Sequence, residues 1–135
     1  MSRSGYSDDS YDYDQWAMIC WRGAVASAFK GARGQAFLKE MLAALDALPE
    51  PKLIAEDLEA KGLVCAIGAV GKARGVDMSK LDPEDRETVA GVFGIAPAMV
   101  AEIVYTNDDW VRETPEERFI RMRQWTISQI REEIK

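Results

Sequence analysis

The chain has 135 residues, 47% of them hydrophobic and 30% charged, with 17 lysines and arginines against 23 aspartates and glutamates and a formal net charge of -6. That is enough chain for one domain with a real core, and too apolar a chain for a disordered one. It has no histidine and two cysteines, Cys20 and Cys65, which excludes the usual zinc spacings and every histidine-dependent catalytic arrangement.

Residues 1–14, MSRSGYSDDSYDYD, read as a mobile acidic Ser/Asp/Tyr tail, because the stretch lacks aliphatic side chains to bury. Its tyrosines Tyr6, Tyr11 and Tyr13, set among aspartates, are candidates for an acidic recognition segment that contacts a protein. The start shows no signal-peptide pattern and no apolar run is long enough to span a bilayer, so the expectation is a cytoplasmic protein without a membrane partner.

Residues 15–135 read as a single all-helical domain. Asp14 is placed to cap a helix over 15–30 whose apolar face carries Trp16, Ile19, Cys20, Val25, Ala26 and Phe29. Both cysteines fall in apolar helical runs and are expected as buried free thiols. A second helix is expected over 35–48, stopped by Pro49 and Pro51. Residues 53–61 suggest a short helix ended by Gly62. The stretch LVCAIGAVGKARG (63–75) reads as a buried helix, with a strand as the alternative.

LDPEDRETVAGVFG opens with Asp82 at an N-cap, Pro83 at the first turn and Glu84 and Asp85 complementing the helix dipole, and it closes at Gly94. Pro97 starts a helix to about Tyr105, TNDDWVRET is a loop, and Thr114, Pro115 and Glu117 form a capping box. The last helix runs from there to the C-terminus on a face of Phe119, Met122, Trp125, Ile127 and Ile130. No strand pattern competes strongly. The expected fold is all-α, a compact single-domain bundle of about six or seven helices.

Residues 89–104, VAGVFGIAPAMVAEIV, have the pacing of a helix-turn-helix: Gly94 at the turn, Ala90 small where the helices cross, Ile95 under the turn, Val100 and Ile103 facing the first helix. The residues that would reach base edges are Ala96, Pro97, Ala98, Met99 and Ala101, with Glu102 the one charge among them. That composition is wrong for a DNA groove. It suits a protein partner better, with Met99 and Glu102 as contact candidates.

Charge is uneven. Between Gln15 and Lys39 there is no acid, while Arg22, Lys30, Arg33 and Lys39 are basic. In FKGARGQ, Lys30, Arg33 and Gln35 gather near a helix N-terminus, which favours anions. Lys72 and Arg74 in GKARG form a second cluster that could join the first in one anion, nucleic-acid or partner-binding site. The run RFIRMRQW (118–125) is expected to be neutralised by i,i+4 pairs with the glutamates around it. No catalytic residues, cofactor motif or metal ligands stand out: there is no GxSxG, P-loop or GxGxxG after a strand, and the acids of DPED are explained by capping. The chain therefore reads as a non-enzyme.

The segments SGYSDD, WRGAVASAFKGARGQAFLKEMLAALDALP, VCAIGAVGKARGVDM, LDPEDRETVA, IVYTND and ETPEERF together resemble a family of small, largely uncharacterised proteins of tailed phages and prophages. The resemblance spans nearly all of the chain. It implies a phage-encoded accessory protein in the cytoplasm of an infected or lysogenic bacterium, without assigning any residue a role. The expected partner is a host or phage protein, with inhibition of a host defence or replication complex as one version; the net negative charge suits a basic host groove. The alternative is a nucleic-acid-associated protein using Arg22, Lys30, Arg33, Lys39, Lys72 and Arg74. Self-association through Trp16, Trp21 or Trp110 is a third course.

Overall fold

The computed structural model describes residues 3–4, 15–109 and 112–131. Trp110, Tyr6, Tyr11, Tyr13 and Asp14, the expected cap, lie outside them. In chain order the elements are α1 (Gln15–Lys30), α2 (Ala32–Asp46), β1 (Glu59–Ala60), β2 (Leu63–Val64), α3 (Ala66–Arg74), α4 (Arg86–Phe93), α5 (Pro97–Asp108) and α6 (Pro115–Gln129). A single 3-10 turn, Met78–Lys80, sits between α3 and α4. The fold is an all-α bundle with one small antiparallel hairpin, in which Glu59 pairs with Val64 and Ala60 with Leu63.

That hairpin corrects two expectations. Residues 53–61 are not a helix, and 63–75 divides into a two-residue strand and then α3. The reason is the turn: Lys61 and Gly62 both have positive φ, 53° and 82°, the geometry of a two-residue hairpin loop. Cys65 then caps α3, its Sγ accepting from the Gly68 N–H at 3.3 Å, and Gly75 ends the helix in the left-handed region. Gly68 is needed for a close approach: a Cβ there would lie 2.0 Å from the Leu58 carbonyl oxygen.

α4 begins later than expected. Asp82 accepts from the Glu84 N–H in a preceding turn, and the cap is Asp85, whose carboxylate takes the Thr88 N–H and hydroxyl. α4 and α5 are bent by 105° at their break. Gly94 carries the turn at φ 72°, and Ala90, Ile95, Val100 and Ile103 are all buried, as the helix-turn-helix spacing requires. α5 runs on to Asp108, because Asn107 is wholly buried and bonded inside the fold. The α6 capping box is present, Thr114 and Glu117 each accepting the other's backbone N–H.

α5 is the central helix, touching α1, α3, α4 and α6. α2 packs on α3 and α6. The core gathers Phe37, Leu38, Met41 and Leu45 of α2, Ile67 and Val70 of α3, Phe93, Met99, Ile103 and Met122. α1 departs from its expected face: Val25 and Phe29 are buried, but Trp16 is 70% exposed, Ile19 62% exposed, and Cys20 and Ala26 are also exposed. Cys20 is thus an exposed free thiol, whereas Cys65 is the buried one anticipated. Among the described residues the arginines of α6 pair outside their own helix: Arg118 and Arg121 both reach Glu113, just before its start, and Arg123 reaches Asp46 of α2. Among the described residues no single helix is long and apolar enough to cross a membrane.

Candidate functional site

A groove of about 410 Å³ opens where the end of α1, the start of α2 and the end of α6 converge, with Glu102 of α5 on its wall. The floor is aromatic. Phe29, held in α1 by the helix periodicity that also buries Val25, meets Trp125 of α6 edge to face at 5.7 Å and 84°, an arrangement favoured by the ring quadrupoles. Arg22, Lys30 and Arg131 bring three cations to the lining and Glu102 one acid, a local excess of two positive charges (3 - 1) in a chain that is negative overall. Arg22 Nη1 donates to both Glu102 oxygens at 3.1 and 3.3 Å, and its side chain is 52% exposed.

Gln35 holds the walls together. Its side-chain N–H donates to the Phe29 carbonyl at 2.7 Å and the Gln129 carbonyl at 3.0 Å, and its oxygen accepts from the Arg131 N–H at 2.8 Å. These are backbone groups at the C-terminal ends of α1 and α6, which have no partner within their own helices. Gln35 therefore fixes the groove's shape instead of meeting an anion with its amide, as its place in FKGARGQ had suggested.

The structure divides the remaining basic candidates. Lys30 and Arg33 flank the start of α2 and are exposed, as is Lys39. Arg74 is committed elsewhere: it makes a two-pronged pair with Glu40 at 2.6 and 2.7 Å, donates to the Phe93 carbonyl, and lies over the Phe37 and Phe93 rings at 5.8 Å. The Arg74 hydrogen bonds hold the Glu40 carboxyl below its usual range, against the opposing effect of burial. Lys72 lines a second, smaller groove of about 300 Å³ with Lys52, Lys61 and the chain just past the end of α2. Lys72 thus lines a different groove from Arg22 and Lys30, and Arg74 is taken up by Glu40, so GARG and GKARG do not line one pocket.

Met99 and Glu102 also change role. Met99 is wholly buried, so it belongs to the core and not to a docking face. Glu102 turns to the groove and meets Arg22. Sequence reasoning missed Trp125, Gln129 and Arg131 as groove residues, since they lie about a hundred residues from α1 and only the tertiary fold joins them. Of the tryptophans named for self-association, Trp16 is exposed, and Trp21 packs on the core beneath the Arg86 guanidinium at 5.3 Å. Among the described residues no group of three or more cysteines, aspartates or glutamates could hold a metal ion.

No known protein family, curated protein or solved structure matches this chain.

Proposed function

We propose that this chain is a non-enzymatic accessory protein of phage origin that acts by binding another protein, and that its α1–α2–α6 groove takes an acidic segment of that partner anchored by an apolar side chain. The carrying observation is the groove itself: an aromatic floor of Phe29 and Trp125 inside a rim of Arg22, Lys30 and Arg131. Aromatic and arginine side chains around a concave centre are the composition of interface hot spots. The volume falls in the range of ligand-binding clefts, and an open, partly apolar trough suits a side chain on a peptide better than an extended duplex. The phage origin and the cytoplasm of an infected or lysogenic bacterium rest on the sequence resemblance, and a host defence or replication complex is the target class this implies.

The test is site-specific capture. A photo-crosslinker at Ala26, an exposed groove residue, should trap one protein partner in infected cells. Lys30→Glu combined with Arg131→Glu should abolish the capture, while Lys72→Glu should not. Under the nucleic-acid alternative, the purified chain would bind bare DNA or RNA with an affinity falling steeply with salt, and no protein would be trapped. That outcome would replace the present reading.

A further inference from the structure

A second built site lies away from the groove, and its occupant is the chain's own N-terminal segment. Arg3 is almost wholly enclosed, its side chain 2% exposed. Its guanidinium forks onto Asp108, Nε to Oδ2 at 2.6 Å and Nη2 to Oδ1 at 2.7 Å, and Nη1 donates to Cys65 Sγ at 3.5 Å. The next residue is read through its backbone: the Ser4 carbonyl accepts from Arg86 Nη1 at 2.9 Å, and Arg86 is itself steadied over the Trp21 ring.

Residues other than 3–4 also hold the receptor. Asp108 Oδ1 also accepts from the Glu56 N–H at 3.1 Å and from the Asn107 side chain at 2.8 Å. Asn107 is tied to the Ala66 N–H, the Ile54 carbonyl and, through its own carbonyl, Arg118. Glu56 takes φ 71° to aim its N–H, a conformation that costs a non-glycine residue roughly 1 kcal/mol and persists where the surroundings over-determine it. A preorganised carboxylate that meets a planar guanidinium on both oxygens is selective for arginine over lysine, whose ammonium is a point charge.

We propose that this pocket is an arginine-recognition site, with Arg3–Ser4 as its intramolecular ligand and an arginine-bearing segment as the ligand class it accepts. While seated, Arg3 covers Cys65, which is fully buried. Ten residues, 5–14, link Ser4 to α1, and a short link of that kind gives an effective concentration of order millimolar. A free arginyl ligand must exceed that to compete in the wild type, but not once Arg3 is removed. None of the groove residues takes part, so this inference and the proposed function stand or fall separately.

The experiment uses the full chain, N-acetyl-arginyl-serine amide and its lysyl counterpart as probes, and site-resolved iodoacetamide labelling with Cys20 as the exposed internal reference. Cys65 should label far more slowly than Cys20 in the wild type. Arg3→Ala should speed Cys65 labelling at least about tenfold, a protection equal to about 1.4 kcal/mol. The arginyl probe should restore protection and raise the thermal midpoint, the lysyl probe should do neither, and Arg3→Ala with Asp108→Asn should lose the rescue. Where Arg3→Ala does not fold, Arg3→Lys keeps the charge without the fork and should give the same pattern. Wild-type Cys65 labelling as fast as Cys20, unchanged labelling in a folded Arg3 variant, or equal rescue by the two probes overturns the proposal.

Discussion

Replacing Gln35 by leucine keeps the side chain's size and removes three hydrogen bonds at once. Two of them, to the Phe29 and Gln129 carbonyls, are partly buried, and the third, from the Arg131 N–H, is exposed. An intramolecular hydrogen bond contributes about 1 kcal/mol net, less where water can take over; the two partly buried bonds then supply about 2 kcal/mol and the exposed one little. The loss is local, because it unties the end of α6 from the end of α1 and leaves the core residues Phe37, Leu38 and Met122 untouched. The matching readout is amide hydrogen exchange followed by NMR. The Arg131 amide, whose acceptor is Gln35 itself, should lose protection by roughly 30-fold, the equivalent of about 2 kcal/mol. Core amides such as Ile103 should change only by the global loss, and partner capture through Ala26 should weaken as the groove loosens. An Arg131 amide that exchanges at the free-chain rate in the wild type, or one equally protected in Gln35→Leu, would refute the reasoning.

Two glycine substitutions should move stability in opposite directions. In Gly68→Ala the new Cβ must clear the Leu58 carbonyl oxygen, 2.0 Å away, and the shift breaks the Cys65 N–H to Leu58 bond, at a combined cost of about 3 kcal/mol. Gly91→Ala, with nothing within 4 Å and an exposed place in α4, should gain about 0.8 kcal/mol of helix propensity; urea midpoints measure both, and shifts of the same sign would contradict the packing. Burial pushes the Asp108 carboxyl up, but the Arg3 hydrogen bonds and charge, with Asn107 and the Glu56 N–H, hold it below its usual value. A depressed carboxylate stabilises the fold above its unfolded value near 3.8 and loses that contribution as the pH falls through its lower folded value, so Asp108→Asn should flatten the acid limb of the stability curve below that pH. An acid limb unchanged in Asp108→Asn would remove the pair from the account. The double reversal of Lys30 and Arg131 should leave the urea midpoint within about 0.5 kcal/mol of wild type while cutting Ala26 capture at least about tenfold; a matching fall in stability would instead assign these residues to the scaffold.

How much of this could be read from the chain depends on the range of each signal. Local signals served well. The capping box at Thr114 and Glu117, the left-handed Gly94 and the small Ala90 impose their geometry within a few residues, and each is found where its spacing placed it. The hairpin at 59–64 escaped because its strands are two residues long, too short for any alternation to register, and because the turn uses lysine at a positive φ where asparagine or aspartate would have announced it. The face of α1 was misjudged for another reason. Of the face assigned to it only Val25 and Phe29 are buried, so a periodicity read over the whole helix assigned Trp16, Ile19, Cys20 and Ala26 to a core that does not cover them. Arg3 and Asp108 lie 105 residues apart, and a lone arginine in a Ser/Asp/Tyr stretch carries no sign of its partner.

α5 shows how a correct fold signal can mislead about function. Ala98, Met99, Val100, Ala101, Ile103 and Val104 are apolar around nearly the whole helix, and an all-round apolar helix belongs in an interior. Read that way, the sequence itself argues against a docking face at 97–104, and the structure buries all six side chains. With the helix-turn-helix pair spent on packing, the proposed recognition falls to the edges of the bundle, where helix ends leave carbonyls and cations that the interior cannot use. The groove is such a place. Its cations come from α1 and from a residue just past α6, its floor from one aromatic on each of those helices, and one glutamine from α2 joins the two ends. A substitution at Gln35 therefore tests the groove as a unit, where a substitution at Met99 would report only on the core.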